Sequence, residues 1–269
     1  LDKSKIPNLA NLDPAVMGVL TKADPGNKYL VPWAWGFTTV GINKTKTDKA
    51  LAGMPLPENS WELVFNPVYT SKLKSCGIAY LDSPAEIIPA ALHYIGKDAY
   101  SNDPADYKAA ADMLSNARQD IRLFSATMID DLAGGKACVV IGWSGDINIA
   151  ANRAKENGSK EEIRALLPST GALLFADTMA ITKDAPHPNN AQAFINFYLR
   201  PENGASVTNT MSYPTANKAA IPQIKSDIAS NTTIFVESDY FNKMIPPSSF
   251  TSESREAMAN AYNSFKKGK

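Results

Sequence analysis

An α/β fold, built as one large domain or as two lobes, is what this sequence predicts, and three observations carry that expectation. Apolar runs of strand length alternate with amphipathic helical stretches, the pattern of βα units around a mainly parallel sheet. The 269 residues exceed the commonest size of a single domain. The run Cys138-Val139-Val140-Ile141-Gly142-Trp143-Ser144-Gly145-Asp146 reads as a buried strand that stops at a glycine-containing turn. A helix from Ile147 to Asn157 follows it directly, so the turn delivers an indole ring and a carboxylate to one spot. In open α/β sheets ligands bind outside the carboxyl ends of the strands, where this Trp and Asp would sit.

The elements follow in chain order. Asp13 to Leu20 is a short helix, with Asp13 as its cap and Pro14 at its first position. Tyr29 to Trp35 and Thr38 to Ile42 are extended, as is Cys76 to Asp82. Ser83-Pro84-Ala85-Glu86 has the form of a capping box and opens a helix that ends at Gly96. Asp103 and Pro104 start another helix, running to Gln119. Ile121 to Phe124 is a strand, and Ala126 to Leu132 a helix stopped by Gly134-Gly135. Ile163 to Leu167 and Leu173 to Ile181 are strands. Helices then dominate: Asn189 to Leu199, Pro201 to Thr210, Ile221 to Ala229 and, after the Pro246-Pro247 turn, Ser254 to Lys267.

Composition narrows the function. Hydrophobic residues make up 44% and charged residues 20%, ordinary values for a globular protein. The 27 basic and 27 acidic residues cancel, so no global field favours nucleic acid or an anionic membrane, and a nucleic-acid partner is not expected. The uncharged run from Tyr29 to Asn43, interrupted by Pro32 and Gly36, is too short to span a bilayer. The chain opens with Leu1, not Met, and shows no signal peptide; it is expected to be a processed or truncated product whose compartment is not legible from its start.

Enzyme chemistry finds little to use. Gly142-Trp143-Ser144-Gly145-Asp146 resembles a nucleophile elbow, but Asp146 stands where G-x-S-x-G needs its second glycine. The two histidines, His93 within a helix and His187 in the rigid Pro186-His187-Pro188 loop, are not tied to Ser144 by any pattern. No ligand pair has metal-binding spacing, and no cofactor is expected.

Carboxylates and rings carry more. Asp146 follows a strand end, and Asp177 interrupts an otherwise apolar strand, where a charge is costly unless something pairs with it. Residues alternate across a strand, so Phe175 and Asp177 point the same way. Asp177 reads either as a ligand carboxylate or as the buried partner of an internal Arg or amide. Glu86 is explained by the capping box alone, yet its helix starts after the strand ending at Asp82, at the same end of the sheet. Trp143, Phe175 and Tyr213 stand beside turn residues or on the face of a candidate carboxylate, although Phe175 fits a core role equally well. Trp33 and Trp35 share a face, and at least one is expected in the core. Rings of this kind accept methylene chains by contact and ammonium groups through their π faces. Rings with carboxylates suit the capture of an organic cation.

Cys76 and Cys138 each open an apolar run. If those runs are neighbouring parallel strands, both thiols lie at the end of the sheet away from the ligand. Matched positions favour a disulfide, and with it an oxidising compartment; two buried free thiols are the alternative.

Several segments together resemble a known family. Val31-Pro32-Trp33-Ala34-Trp35-Gly36, Lys74-Ser75-Cys76-Gly77, Leu81-Asp82-Ser83-Pro84-Ala85-Glu86 and Ile141-Gly142-Trp143-Ser144-Gly145-Asp146 are similar to the polyamine-binding proteins of bacterial ABC importers, nearest to periplasmic putrescine receptors. Phe175-Ala176-Asp177, Tyr198-Leu199-Arg200-Pro201 and Tyr213-Pro214-Thr215-Ala216-Asn217 continue the likeness in order. The resemblance implies a two-lobed type II periplasmic binding protein fold with hinge crossovers, periplasmic location, a membrane permease as partner, and a disulfide between Cys76 and Cys138. It implies Glu86, Trp143, Asp146, Phe175, Asp177 and Tyr213 as ligand contacts. On that reading Asp146 and Asp177 neutralise ammonium groups, Glu86 assists, and the rings enclose the alkyl chain.

By the same analogy the first lobe comprises 1–42 and 172–212, and the second 43–171 and 213–269. The family's opening βα units have no counterpart here, so the first lobe is expected to be incomplete. Three alternatives to a putrescine receptor stay open: a spermidine-preferring receptor, a carboxylate-dependent hydrolase using a pair such as Asp146 and Asp177, and a fragment that binds nothing.

Overall fold

A computed structural model describes residues 1–268. Six strands are present among the described residues: β1 (Val31–Asn43), β2 (Ile78–Leu81), β3 (Ile121–Ser125), β4 (Val139–Trp143), β5 (Ile163–Ala165) and β6 (Leu173–Met179). They run in the order β3-β2-β4-β1-β5, and β6 pairs with β1. β2 is parallel to β3 and to β4, whereas β1 is antiparallel to β4 and β5. The sheet is thus mixed where alternation of elements suggested a mainly parallel one. Alternation counts strands and helices but does not fix direction, and β1 enters against β4 and β5.

Local chemistry sets most boundaries. Asp13 caps the helix Pro14–Leu20 by accepting the Ala15 N–H, and Asp103 does the same for Ala105 at the start of Pro104–Ser115. The long helix Ser144–Glu156 begins directly after β4. Three readings differ. The two extended pieces expected around Gly36 are one strand of 13 residues, because pairing holds the glycine extended. The single helix expected from Ile221 to Ala229 is a 3-10 segment, Lys218–Gln223, followed by one turn of α-helix, Ser226–Ala229; Pro222 prevents continuation. Ser83 forms no side-chain cap bond at the helix Pro84–Tyr94, so the expected capping box is not formed.

The chain groups into two compact units, one of 1–36, 174–237 and 246–248, the other of 37–173, 238–245 and 249–269. In the first unit the segment after Ser212 runs extended beside the early part of β1. Trp35 N–H donates to Pro214 O at 3.1 Å, and Ala34 forms a bridge with Thr215. A small core of Ala205, Ala220, Ile224, Ile228 and Ile234 follows from there. These contacts join 213–237 to the first unit.

The second unit holds the larger core, in which Val40, Ile42, Tyr80, Val140, Ile141 and Phe265 are fully buried. The helix Ser252–Lys267 closes it: Tyr262 Oη donates to Leu81 O and to Asp82 Oδ1, and Lys266 Nζ lies 2.7 Å from Asp82 Oδ2. Cys76 and Cys138 form a disulfide with Cα atoms 5.5 Å apart. They precede β2 and β4, which are parallel neighbours, so matched strand starts bring the sulfurs together. The Arg122 guanidinium braces the same spot, donating to the carbonyls of Lys74, Ser75 and Lys136 at 3.2, 3.0 and 2.7 Å. Gly77 packs against it with φ +103°; an added Cβ would sit 2.5 Å from Lys136 O.

Candidate functional site

In the second unit, strand register assembles the site. β2 and β4 are parallel neighbours, so their carboxyl ends lie side by side, and each is followed by a helix. Both following helices carry a carboxylate at their third residue: Glu86 in Pro84–Tyr94 and Asp146 in Ser144–Glu156. β1 is antiparallel to β4 and places Thr38 directly opposite Trp143.

Glu86 is the centre of this cluster. Its Oε2 accepts the Thr38 hydroxyl, and the Trp143 side chain lies near enough to the carboxylate to favour its ionised form. Desolvation raises the Glu86 pKa above the ordinary glutamate value, opposed in part by Thr38 and Trp143. Glu86 therefore turns toward the strand ends and not back to its own helix start. A residue beside Thr38 and another beside Trp143 are also joined: Phe37 N–H donates to Ser144 Oγ at 3.3 Å. Asp146 is half-buried beside them.

In the first unit, β6 presents Phe175 half-buried and Asp177 exposed. Asp177 is therefore not the buried partner of an internal Arg, one of the two readings of its sequence. Partial loss of solvation raises its carboxyl above the usual aspartate value. The rings of Phe175 and Tyr213 lie 6.3 Å apart at 56°, forming an aromatic corner. Ser212, in the left-handed conformation after the helix Pro201–Met211, turns the chain so that Tyr213 enters this corner. Gly36 permits it: a Cβ there would lie 2.8 Å from Phe175 Cζ and 3.2 Å from Tyr213 Cδ1.

The six residues expected from the sequence thus fall into two groups. Glu86, Trp143 and Asp146 belong to the second unit, and Phe175, Asp177 and Tyr213 to the first. Sequence reasoning missed Thr38 and Gly36. A hydroxyl at Thr38 within a long uncharged run, and a glycine beside Trp35, are the signals that single them out. Trp35 is buried, and Trp33 packs edge-on against Tyr198 with centroids 5.8 Å apart, so both serve structure.

The competing chemistries find no support in these surroundings. Ser144 is buried, and its Oγ accepts a backbone N–H, which does not suit a nucleophile. His93 Nε2 lies 3.0 Å from Thr170 O, and burial lowers its pKa. Among the described residues no group of three or more His, Cys, Asp or Glu is placed to hold a metal, and no helix is long and apolar enough to cross a membrane.

Comparison with known proteins adds to this geometry. Residues 1–235 match the family model described as bacterial extracellular solute-binding protein. The chain is 39% identical over 270 residues to the putrescine-binding periplasmic protein SpuD of Pseudomonas aeruginosa (strain UCBPP-PA14), covering 100% of this chain and 73% of that protein. It is 40% identical over 246 residues to the putrescine-binding periplasmic protein PotF of Escherichia coli (strain K12), covering 91% of this chain and 66% of the relative. Among solved structures, a putative spermidine/putrescine ABC transporter from Listeria monocytogenes aligns with a TM-score of 0.83 and 27% identity, over 99% of this chain and 77% of that one. The substrate-binding protein PotD of Streptococcus pneumoniae aligns with a TM-score of 0.82 at 23% identity, over 100% of this chain and 77% of that one, a likeness of fold. The fold class is accordingly the α/β, type II periplasmic binding protein class.

Proposed function

This chain belongs to the bacterial extracellular solute-binding proteins, and from that membership we propose that it is a periplasmic receptor that captures putrescine, or a closely related polyamine, for an ABC importer. Its chemistry is reversible capture, with no bond made or broken, and its macromolecular partner is the importer's membrane permease. The single observation that carries the ligand class is the Glu86 cluster: a desolvated carboxylate that accepts a Thr hydroxyl beside an indole, at the carboxyl ends of parallel strands. An anion so held suits an ammonium group, and a ring beside it suits the methylenes that follow.

We assign the ligand contacts to Glu86, Trp143, Asp146, Phe175, Asp177 and Tyr213. The carboxylates take the ammonium groups, and the rings line the alkyl chain. Putrescine ranks ahead of spermidine because relatives named for putrescine alone match at 39% and 40%, and those named for spermidine and putrescine at 28% and 27%. The two compact units are the proposed lobes, and the Cys76–Cys138 disulfide accords with a periplasmic setting.

Calorimetric titration of ligand-free protein with putrescine, cadaverine and spermidine tests the assignment. Putrescine has about six heavy atoms, and the best small ligands gain about 1.5 kcal/mol per atom, so binding can reach about −9 kcal/mol, or sub-micromolar affinity. Absence of binding by all three amines at millimolar concentration refutes it, and tighter binding of spermidine reverses the ranking.

A further inference from the structure

We propose that Thr38 is a positioning residue for charge recognition: beside the Trp143 indole, its hydroxyl holds the Glu86 carboxylate in a fixed orientation, its charge intact, to receive an ammonium group. The inference rests on the polyamine reading above and assigns a role to a residue outside the six contacts.

Thr38 is fully buried in β1, where pairing with β4 sets it opposite Trp143. Cross-strand partners direct their side chains to the same face. Thr38 therefore bonds the carboxylate and Trp143 lies beside it; the carboxylate itself enters from the first turn of the helix after β2. The flanking bond from Phe37 N–H to Ser144 Oγ ties the two chain segments immediately beside the pair. Thr is β-branched, with few χ1 choices in a strand, so its hydroxyl is aimed by the sheet itself.

The type of donor decides the function. A Lys or Arg at this point would neutralise Glu86 and compete with the ligand for it. The Thr38 hydroxyl stabilises the carboxylate through a single hydrogen bond, and neither it nor the neighbouring indole carries a net charge. Among the described residues no cation contributes to the surroundings that set the state of Glu86. Its charge is left for an incoming ammonium, while its orientation is fixed before the ligand arrives. Orientation fixed in advance removes a cost that binding would otherwise carry.

Calorimetry on Thr38→Val, Thr38→Ser, Glu86→Gln and the double variant Thr38→Val/Glu86→Gln, with putrescine and with 1-aminobutane, tests the proposal. Val keeps the shape and β-branching of Thr and removes the hydroxyl, whereas Ser keeps the hydroxyl. A hydrogen bond to a charged group is worth about 1.5–3 kcal/mol, so Thr38→Val should weaken putrescine about tenfold or more. Thr38→Ser should bind within a few-fold of the parent, and Thr38→Val should cost nothing further once Glu86 is Gln. The monoamine, with one ammonium for several carboxylates, should respond to Thr38→Val less than the diamine. Parent-like putrescine affinity in Thr38→Val, an equal loss in the Glu86→Gln background, or failure of Thr38→Ser to restore binding overturns the role of Thr38. If Thr38→Val does not fold, Thr38→Ala removes the same hydroxyl without added bulk and is read by the same criteria. Failure of the parent protein to bind any polyamine overturns the functional reading itself, which the parent titration shows separately.

Discussion

Removing the disulfide should cost most of what chain entropy assigns to it. The bridge joins residues 62 apart in sequence. For a closed loop of that length the chain-entropy relation gives about 14 cal/mol/K, or about 4.3 kcal/mol at 25 °C, all exerted on the unfolded chain. Residual structure in the unfolded ensemble lowers this, so a loss of about 2–4 kcal/mol is expected. The folded state should barely change. The Cys138 N–H still donates to Gly77 O at 2.8 Å, and Arg122 still spans the carbonyls of Lys74, Ser75 and Lys136. The experiment compares urea unfolding of the oxidised protein with that of Cys76→Ala/Cys138→Ala, by circular dichroism and tryptophan fluorescence. If the two units unfold in separate steps, only one step should move, since both cysteines lie in the second unit. In heating, the same loss corresponds to roughly 4–16 °C at about 2–4 °C per kcal/mol. A difference below about 1 kcal/mol with an unchanged folded-state spectrum would refute the loop-entropy reasoning. Two reactive thiols in unreduced, denatured protein would refute the bridge itself.

Gly36→Ala should weaken putrescine binding about tenfold while the protein still folds. Its Cβ would press on Phe175 and Tyr213 at 2.8 and 3.2 Å, and forced overpacking of this kind costs about 1–3 kcal/mol. Parent-like affinity by calorimetry would show that the aromatic corner has room to shift. Glu86→Gln should lose ligand yet leave the free protein as stable as the parent at neutral pH, or more so. The folded protein retains the Glu86 proton to higher pH than the unfolded chain, because burial raises its pKa. That group thus favours folding as pH falls through its raised pKa and opposes folding once ionised above it. Chemical denaturation of both proteins across pH 4 to 8 checks the sign; a large destabilisation of Glu86→Gln at neutral pH would contradict it. Putrescine affinity of the parent should fall as pH drops toward the raised pKa values of Glu86 and Asp177, because the protonated carboxyls carry no charge to pair with. A pH-independent affinity between pH 7 and 4.5 would remove both groups from the ligand.

Sequence alone determined what short-range chemistry controls. Asp13 and Asp103 with their following prolines announced helix starts, and the run from Cys138 to Asp146 announced a strand, a turn and a helix. The matched cysteines foretold the bridge, because their separation from the strand starts is local and the parallel neighbours then do the rest. Residue chemistry singled out the six candidate residues, and the family likeness joined them into one ligand set. Tertiary structure decided how those residues are used. Ser83 to Glu86 has the spacing of a capping box, but a buried hydroxyl from β1, 48 residues away in sequence, is the partner that Glu86 takes. Gly36 reads locally as a break, yet strand pairing keeps it extended and the approach of two rings requires it. Asp177 reads as a charge inside an apolar strand and is instead the exposed position of that strand. For Glu86 and Gly36 the deciding partner lies far along the chain. Its register is fixed by hydrogen bonding between strands, which no local pattern of residues encodes.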